Sequence, residues 1–279
     1  AVGYVALDAN TTASANTAVG QHALTDNTTG ASNTAVGSGA LGDNTTASNN
    51  VAVGVNSLRL NTTGYNNVSV GAFALDANTD GVENTAVGEG ALSTNTTGDN
   101  NVAVGRQALV LSTTASNNTA LGFKALHQNT TGDQNVAVGH ETLDANTTGS
   151  QNTAIGRSAL TGNTTGEKNT ACGNRALKVL TTGDFNVAVG RGALESCTTA
   201  SNNTAVGYLS LEDLTTGTNN TAIGSGAGKT QTTAHGCTWV GNEAGRVNTA
   251  SDNVGIGSGA LYSNTSGTFN CAVGPGQYG

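Results

Sequence analysis

The sequence predicts an all-β parallel β-solenoid, and three observations carry that reading. A 17-residue unit, A-V-G-x-x-A-L-x-x-N-T-T-G-x-x-N-T, runs end to end about sixteen times, with glycine third in every copy from Gly3 to Gly274. Side chains alternate through N-T-A-V-G with β-branched residues, a period-two strand signal, and 17 residues leave no room for a helix pair with its turns. A unit this short cannot bury its own apolar face, so each copy must stack on its neighbours and share one core. The repeat covers residues 1–279 as a single solenoid domain. Only Trp239 to Val254 departs from the period, with 16 residues.

Taken in order through the unit, and counting positions from Ala1, the strand comes first. Positions 17 and 2 (Thr17, Val19, Thr34, Val36) share one face, and the β-branched residues there are expected to fill the coil, with the leucine at position 7 closing it from the opposite side. Glycine at position 3 (Gly20, Gly37, Gly54, Gly122) follows the strand. It is expected to turn the chain with φ > 0 or to permit close backbone approach. Asparagine at position 16 (Asn16, Asn33, Asn50, Asn67) is expected to stack into a ladder of side-chain amides. N-T-T-G at positions 10–13 marks a second corner, with hydroxyls bonding nearby backbone. Positions 4, 5, 8, 9, 14 and 15 vary freely and hold nearly all the charge, so they face water or a partner. On this assignment the alanines at position 1 (Ala18, Ala35, Ala137, Ala154) form, with the glycines, an uncharged outer stripe. That stripe is the expected interchain surface.

Composition limits the function. With 40 Gly, one Pro and 10% charged residues, the bias comes from the repeat and not from disorder, because Val, Ile, Leu and Thr hold fixed positions throughout. A net charge of −8 argues against a nucleic-acid partner. No apolar run approaches the length that spans a bilayer, so membrane insertion is not expected. The imbalance is axial: residues 1–105 hold one basic residue, Arg59, against eight acidic ones. The chain starts and stops in mid-repeat without a polar cap. It is expected to be a segment of a longer fibre, whose bare terminal rungs could join end to end into a filament.

The segments N-T-A-V-G (Asn33 to Gly37) and N-V-A-V-G (Asn101 to Gly105) resemble the S-V-A-I-G strand of the head repeats in trimeric autotransporter adhesins. The whole unit is similar to the N-T-A-V-G-x-x-A-L-x-x-N-T-T-G arrays of bacterial and phage tail-fibre-like proteins. The resemblance covers the entire chain and is specific to architecture rather than ligand. It implies a left-handed parallel β-roll in which three chains associate about a fibre axis.

No motif signals chemistry. Cys172, Cys197, Cys237 and Cys271 fall at different positions without C-x-x-C spacing and read as small buried or ladder residues. His22, His127, His140 and His235 lie at different positions, so a shared metal site is not expected, and no cofactor or catalytic set can be named. The N-T-T and N-T-S asparagines, such as Asn10 and Asn27, match the glycosylation pattern, but a threonine-rich turn generates it freely. Arg157, Arg175 and Arg191 should cluster on one edge near Lys178 and could dock an anionic ligand. Glu167, Asp184 and Glu195 are expected to neutralise much of that charge. The expected function is therefore a structural or adhesive segment of an extracellular, cell-surface or virion fibre, self-associating as a homotrimer, with a host-surface or glycan receptor as a further partner and without catalysis. The alternative is a monomeric ice-binding solenoid presenting ranks of Asn10-type and Thr12-type side chains, a rank that Leu180, Cys197 and Leu214 interrupt.

Overall fold

The computed structural model describes residues 1–276. The chain forms two compact units, Ala1–Ala137 and Val138–Gly279. Both are parallel β-solenoids in which each turn contributes one three-residue strand, and the described residues include no helix. The first unit runs from β1 (Thr17–Val19) to β7 (Thr119–Leu121); β8 (Val136–Val138) spans the junction; the second unit continues from β9 (Thr153–Ile155) to β16 (Cys271–Val273). Within each unit every strand pairs in parallel with the next. The register is constant, so Thr17 lies beside Thr34, Ala18 beside Ala35 and Val19 beside Val36. The 16-residue turn leaves this register intact, since Thr238 still pairs with Val254.

Hydrogen bonds between turns are not confined to the strands. The amides of Leu24, Asp26 and Thr28 donate to Ala40, Gly42 and Thr45 of the next turn, and the threonine hydroxyl at position 11 repeats the pattern (Thr28 Oγ1 to Thr45 O, 3.0 Å). Within a turn, Ala23 N–H donates to Gly20 O and Asn27 N–H to Leu24 O, closing two tight turns. The first has φ > 0 at its third residue (His22, 57°), the signature of a type II turn.

Position 7 also takes the left-handed conformation, with Leu24 at φ 52° and Leu41 at 49°. A bulky residue there costs about 1–2 kcal/mol. Burying the leucine side chain recovers about 1.5–3 kcal/mol, enough to hold it there. Gly228 and Gly245 occupy the same position with φ near 60°, and Gly39, Gly90 and Gly226 do so at position 5.

The strand faces opposite to the sequence expectation. Ala18, Ala35, Ala137 and Ala154 are at most 1% exposed and lie in the core, while the valines at position 2 point outward. The reason is the width of the coil. In the turn where serine stands at both position 6 and the following position 1, Ser57 and Ser69 hydroxyls bond across the core at 2.7 Å. The two backbones are therefore too close for a β-branched pair. Trp239 tests the rule: it replaces the position 1 alanine, is fully buried, and is accommodated only where glycine replaces the neighbours. A Cβ at Gly228 would lie 2.8 Å from the indole, one at Gly255 2.9 Å, and one at Gly245 closer still. Its Nε1–H donates to Gln231 Oε1 at 2.9 Å.

The remaining core is polar. The ladder at position 16 exists as expected, but inside the coil: Asn33 Oδ1 accepts from Asn50 N–H at 2.9 Å, and Asn33 Nδ2 donates to Ala47 O at 2.8 Å. A second ladder runs through position 10, where each Nδ2 donates to Oδ1 of the previous turn (Asn44 to Asn27, 2.7 Å; Asn78 to Asn61, 2.8 Å). Buried amides are tolerable only when satisfied, and the ladder satisfies them in series. Where it breaks, an oxygen is orphaned. Asn95 Oδ1 has no donor because Ser112 follows it, and Asn163 Oδ1 has none because Leu180 follows it. Ser112→Asn is therefore expected to stabilise the chain by about 1–3 kcal/mol, the usual cost of a buried unsatisfied polar group. Chemical denaturation measures this directly, and an unchanged or lowered midpoint counts against the ladder account.

Candidate binding surfaces

Two surfaces stand apart from the repeat's polar exterior. The first is the outward face of the strands. Its two columns, Thr or Val at position 17 with Cys271 in the last strand, and Val, Ile or Leu at position 2 with Cys172 in the tenth, hold no charged residue in either unit. The position 2 column is substantially exposed: Val36, Val104, Leu121, Ile155, Val189 and Ile223 range from 37% to 43%. Charge is excluded here while abundant at positions 4, 5, 8, 9, 14 and 15. Because the register is constant, uncharged side chains of similar size repeat at one strand spacing, ~4.8 Å. The alanine stripe expected from the sequence is absent from the exterior, and this column of larger residues takes its place.

The second surface is an edge built by positions 4, 5 and 8, where the type II turn and the left-handed residues splay side chains around a furrow. Glycine at position 5 or 8 deepens it, as at Gly39 and Gly42, which line a cavity of about 420 Å³ with His22, Asp43, Asn56 and Arg59. In the second unit the same edge brings Arg157, Arg175, Arg191 and Lys178 together around a cavity of about 360 Å³, completed by Ser158 and Asn174. The clustering of the three arginines is as the sequence indicated. The neutralisation is not. Glu195 pairs with Arg175 at 2.6 Å, but Glu167 and Asp184 stand at position 14, away from the cavity, where Asp184 Oδ1 accepts from Glu167 N–H at 2.7 Å. Arg191 lies over the Tyr208 ring, 5.7 Å from its centroid, and donates to the Tyr208 hydroxyl at 3.2 Å.

Other sequence candidates disperse. The Asn10-type rank is internal, with Asn27, Asn44, Asn61 and Asn78 fully buried and their amides bonded, so the paired Asn and Thr ranks of the ice-binding alternative are not presented together. The same burial closes those asparagines to glycan attachment in the folded chain. His140 pairs with Glu141 at 3.5 Å. Among the described residues no group of three or more His, Cys, Asp or Glu side chains is placed to hold a metal ion.

Cys172 and Cys271 are exposed, whereas Cys197 and Cys237 are buried. Burial pushes the Cys197 thiol up to about 12 from its ordinary 9.0, against a smaller opposing effect of its hydrogen bond with the Ala200 backbone. The native state therefore holds a proton that the unfolded chain releases. That contribution to stability is complete below pH 9 and is lost as the pH rises toward 12. The stability advantage of the native chain over Cys197→Ser is expected to be constant from pH 6 to 8 and to shrink at higher pH. Urea midpoints across that range read it, and a parallel pair of curves would refute it.

No protein-family model matches the sequence, and comparison with curated proteins finds none similar to it.

Proposed function

We propose that this chain is a non-catalytic segment of an extracellular, cell-surface or virion fibre, associating with two further copies of itself through the outward face of its strands. The observation that carries the reading is the absence of charge from both outward columns in each unit, against abundant charge on the turns. An apolar column in contact with water, flanked by an uncharged column of Thr and Val, favours burial against a partner. A second copy of the chain matches their spacing side chain for side chain, which an unrelated surface does not. The repeat's resemblance to adhesin heads and tail-fibre arrays supports three chains over two.

Light scattering on the eluting peak of a size-exclusion column, at two loading concentrations, tests the proposal. A mass of three chains at both is the expected result. A mass of one chain overturns it, and favours the second reading: an in-register array of Thr17-type and Val19-type side chains facing an ordered lattice such as ice. Thermal hysteresis then becomes the measurement to make.

A further inference from the structure

We infer that the Arg157–Arg191 cavity is a binding site for a short acidic saccharide, one bearing sulfate or carboxylate groups. Of the cations without a carboxylate partner, Lys124 and Lys168 stand singly beside phenylalanine rings, whereas the other three share this cavity. Arg59, Arg106 and Arg246 pair with Asp76, Glu89 and Glu243, and Lys229 pairs with Glu212. Around this cavity only Arg175 has a carboxylate, Glu195, so Arg157, Lys178 and Arg191 face it without a counter-ion. Four of the seven basic residues of the second unit converge on one furrow of a chain whose net charge is −8. Like-charge crowding of this kind is unfavourable unless an anion occupies the site.

The geometry selects the class of anion. Arg157 and Arg191 stand two turns apart, so their backbones are separated by roughly 10 Å. Across that span a chain carrying successive anionic groups can give each guanidinium its own oxyanion, where a single ion would have to be shared among them. Guanidinium forks suit sulfate and carboxylate equally, since both offer paired oxygens. The ring of Tyr208 holds the Arg191 guanidinium in place and so lowers the entropy cost of binding. On the Tyr208 side lies a second cavity of about 270 Å³, walled by Ser225 and Gly226 and by Lys229, Glu243 and Arg246, whose charges are already paired, so it offers further sugar units polar contacts without a free cation. A nucleic acid fits less well, because its phosphates extend along a surface that is otherwise acidic.

Calorimetric titration with four hexamers tests this independently of the oligomeric state: a heparin hexasaccharide, an oligogalacturonate, maltohexaose and oligo-dT. The sulfated hexamer, the carboxylated one or both should bind, maltohexaose should not, and whichever binds names the group recognised. Arg157→Gln with Arg191→Gln should weaken binding at least about tenfold, the loss expected for charge-assisted hydrogen bonds. Lys124→Gln with Lys168→Gln, both outside the cavity, should leave it unchanged, and Glu195→Gln should tighten it by removing the internal competitor. Both arginines are exposed at the turn edge, so circular dichroism of the variants should match the parent. No binding by either acidic saccharide overturns the inference. So does an equal loss in the lysine control, or oligo-dT binding as tightly as the saccharides.

Discussion

Gly54→Val is expected to cost at least about 3 kcal/mol and to lower the denaturation midpoint sharply, because two independent constraints meet at that residue. Its φ is +138°, a region that L side chains rarely adopt. A Cβ there would also lie 2.5 Å from the carbonyl oxygen of Gly71 in the next turn. That oxygen is backbone and cannot rotate away, so relief requires separating two turns, with loss of the hydrogen bonds between them. Gly90→Ala is the matched control. Gly90 has φ +64°, and its added Cβ would meet nothing nearer than Gln107 Cγ at 4.0 Å. Gln107 and Lys124 hold the same repeat position at φ 58° and 53°, so the backbone accepts side chains there for about 1 kcal/mol. Equal melting of the two variants would show that close approach of the turns is not what fixes glycine at position 3.

The solenoid, its strand, its position 3 glycines and its position 16 asparagine ladder could be read from periodicity, because stacking makes every copy solve the same problem. Orientation was harder. Hydrophobicity ranks valine above alanine, and the expectation therefore placed Val19 and Val36 inside and Ala18 and Ala35 outside. The coil is too narrow for that arrangement, and the sequence carried the signal in its exceptions: Trp239 at position 1 coincides with glycine in place of leucine at 228 and 245, as only residues in contact would. The left-handed leucines were hidden for a similar reason, since leucine reads as a core residue in any conformation. Recurrent glycine at position 5 (Gly39, Gly90, Gly192) and position 7 (Gly228, Gly245) marked φ > 0 at those places. For the basic cavity, position alone predicted the cluster of Arg157, Arg175 and Arg191. Which acids reach it depends on the path of the turn, which puts position 14 on another edge.

On the proposed three-chain association, Val104→Asp is expected to reduce the solution mass to that of one chain while leaving the turn-to-turn hydrogen bonding intact. In the isolated chain Val104 is 37% exposed in the outward column of the first unit, so an aspartate there meets water and costs the fold no more than about 1 kcal/mol. In an assembly that buries this face, three copies would bring unpaired carboxylates into an apolar contact, and each would lose its hydration without a partner. Ala103→Asp, one residue away, separates fold from assembly. Ala103 is fully buried, so its replacement should unfold the chain and not dissociate it. Circular dichroism and light scattering on the same samples distinguish the outcomes: a folded monomer for Val104→Asp and an unfolded chain for Ala103→Asp. If Val104→Asp stays a folded trimer, the chains meet elsewhere. The charge-free columns would then need another explanation, because the fold itself tolerates charge on that face.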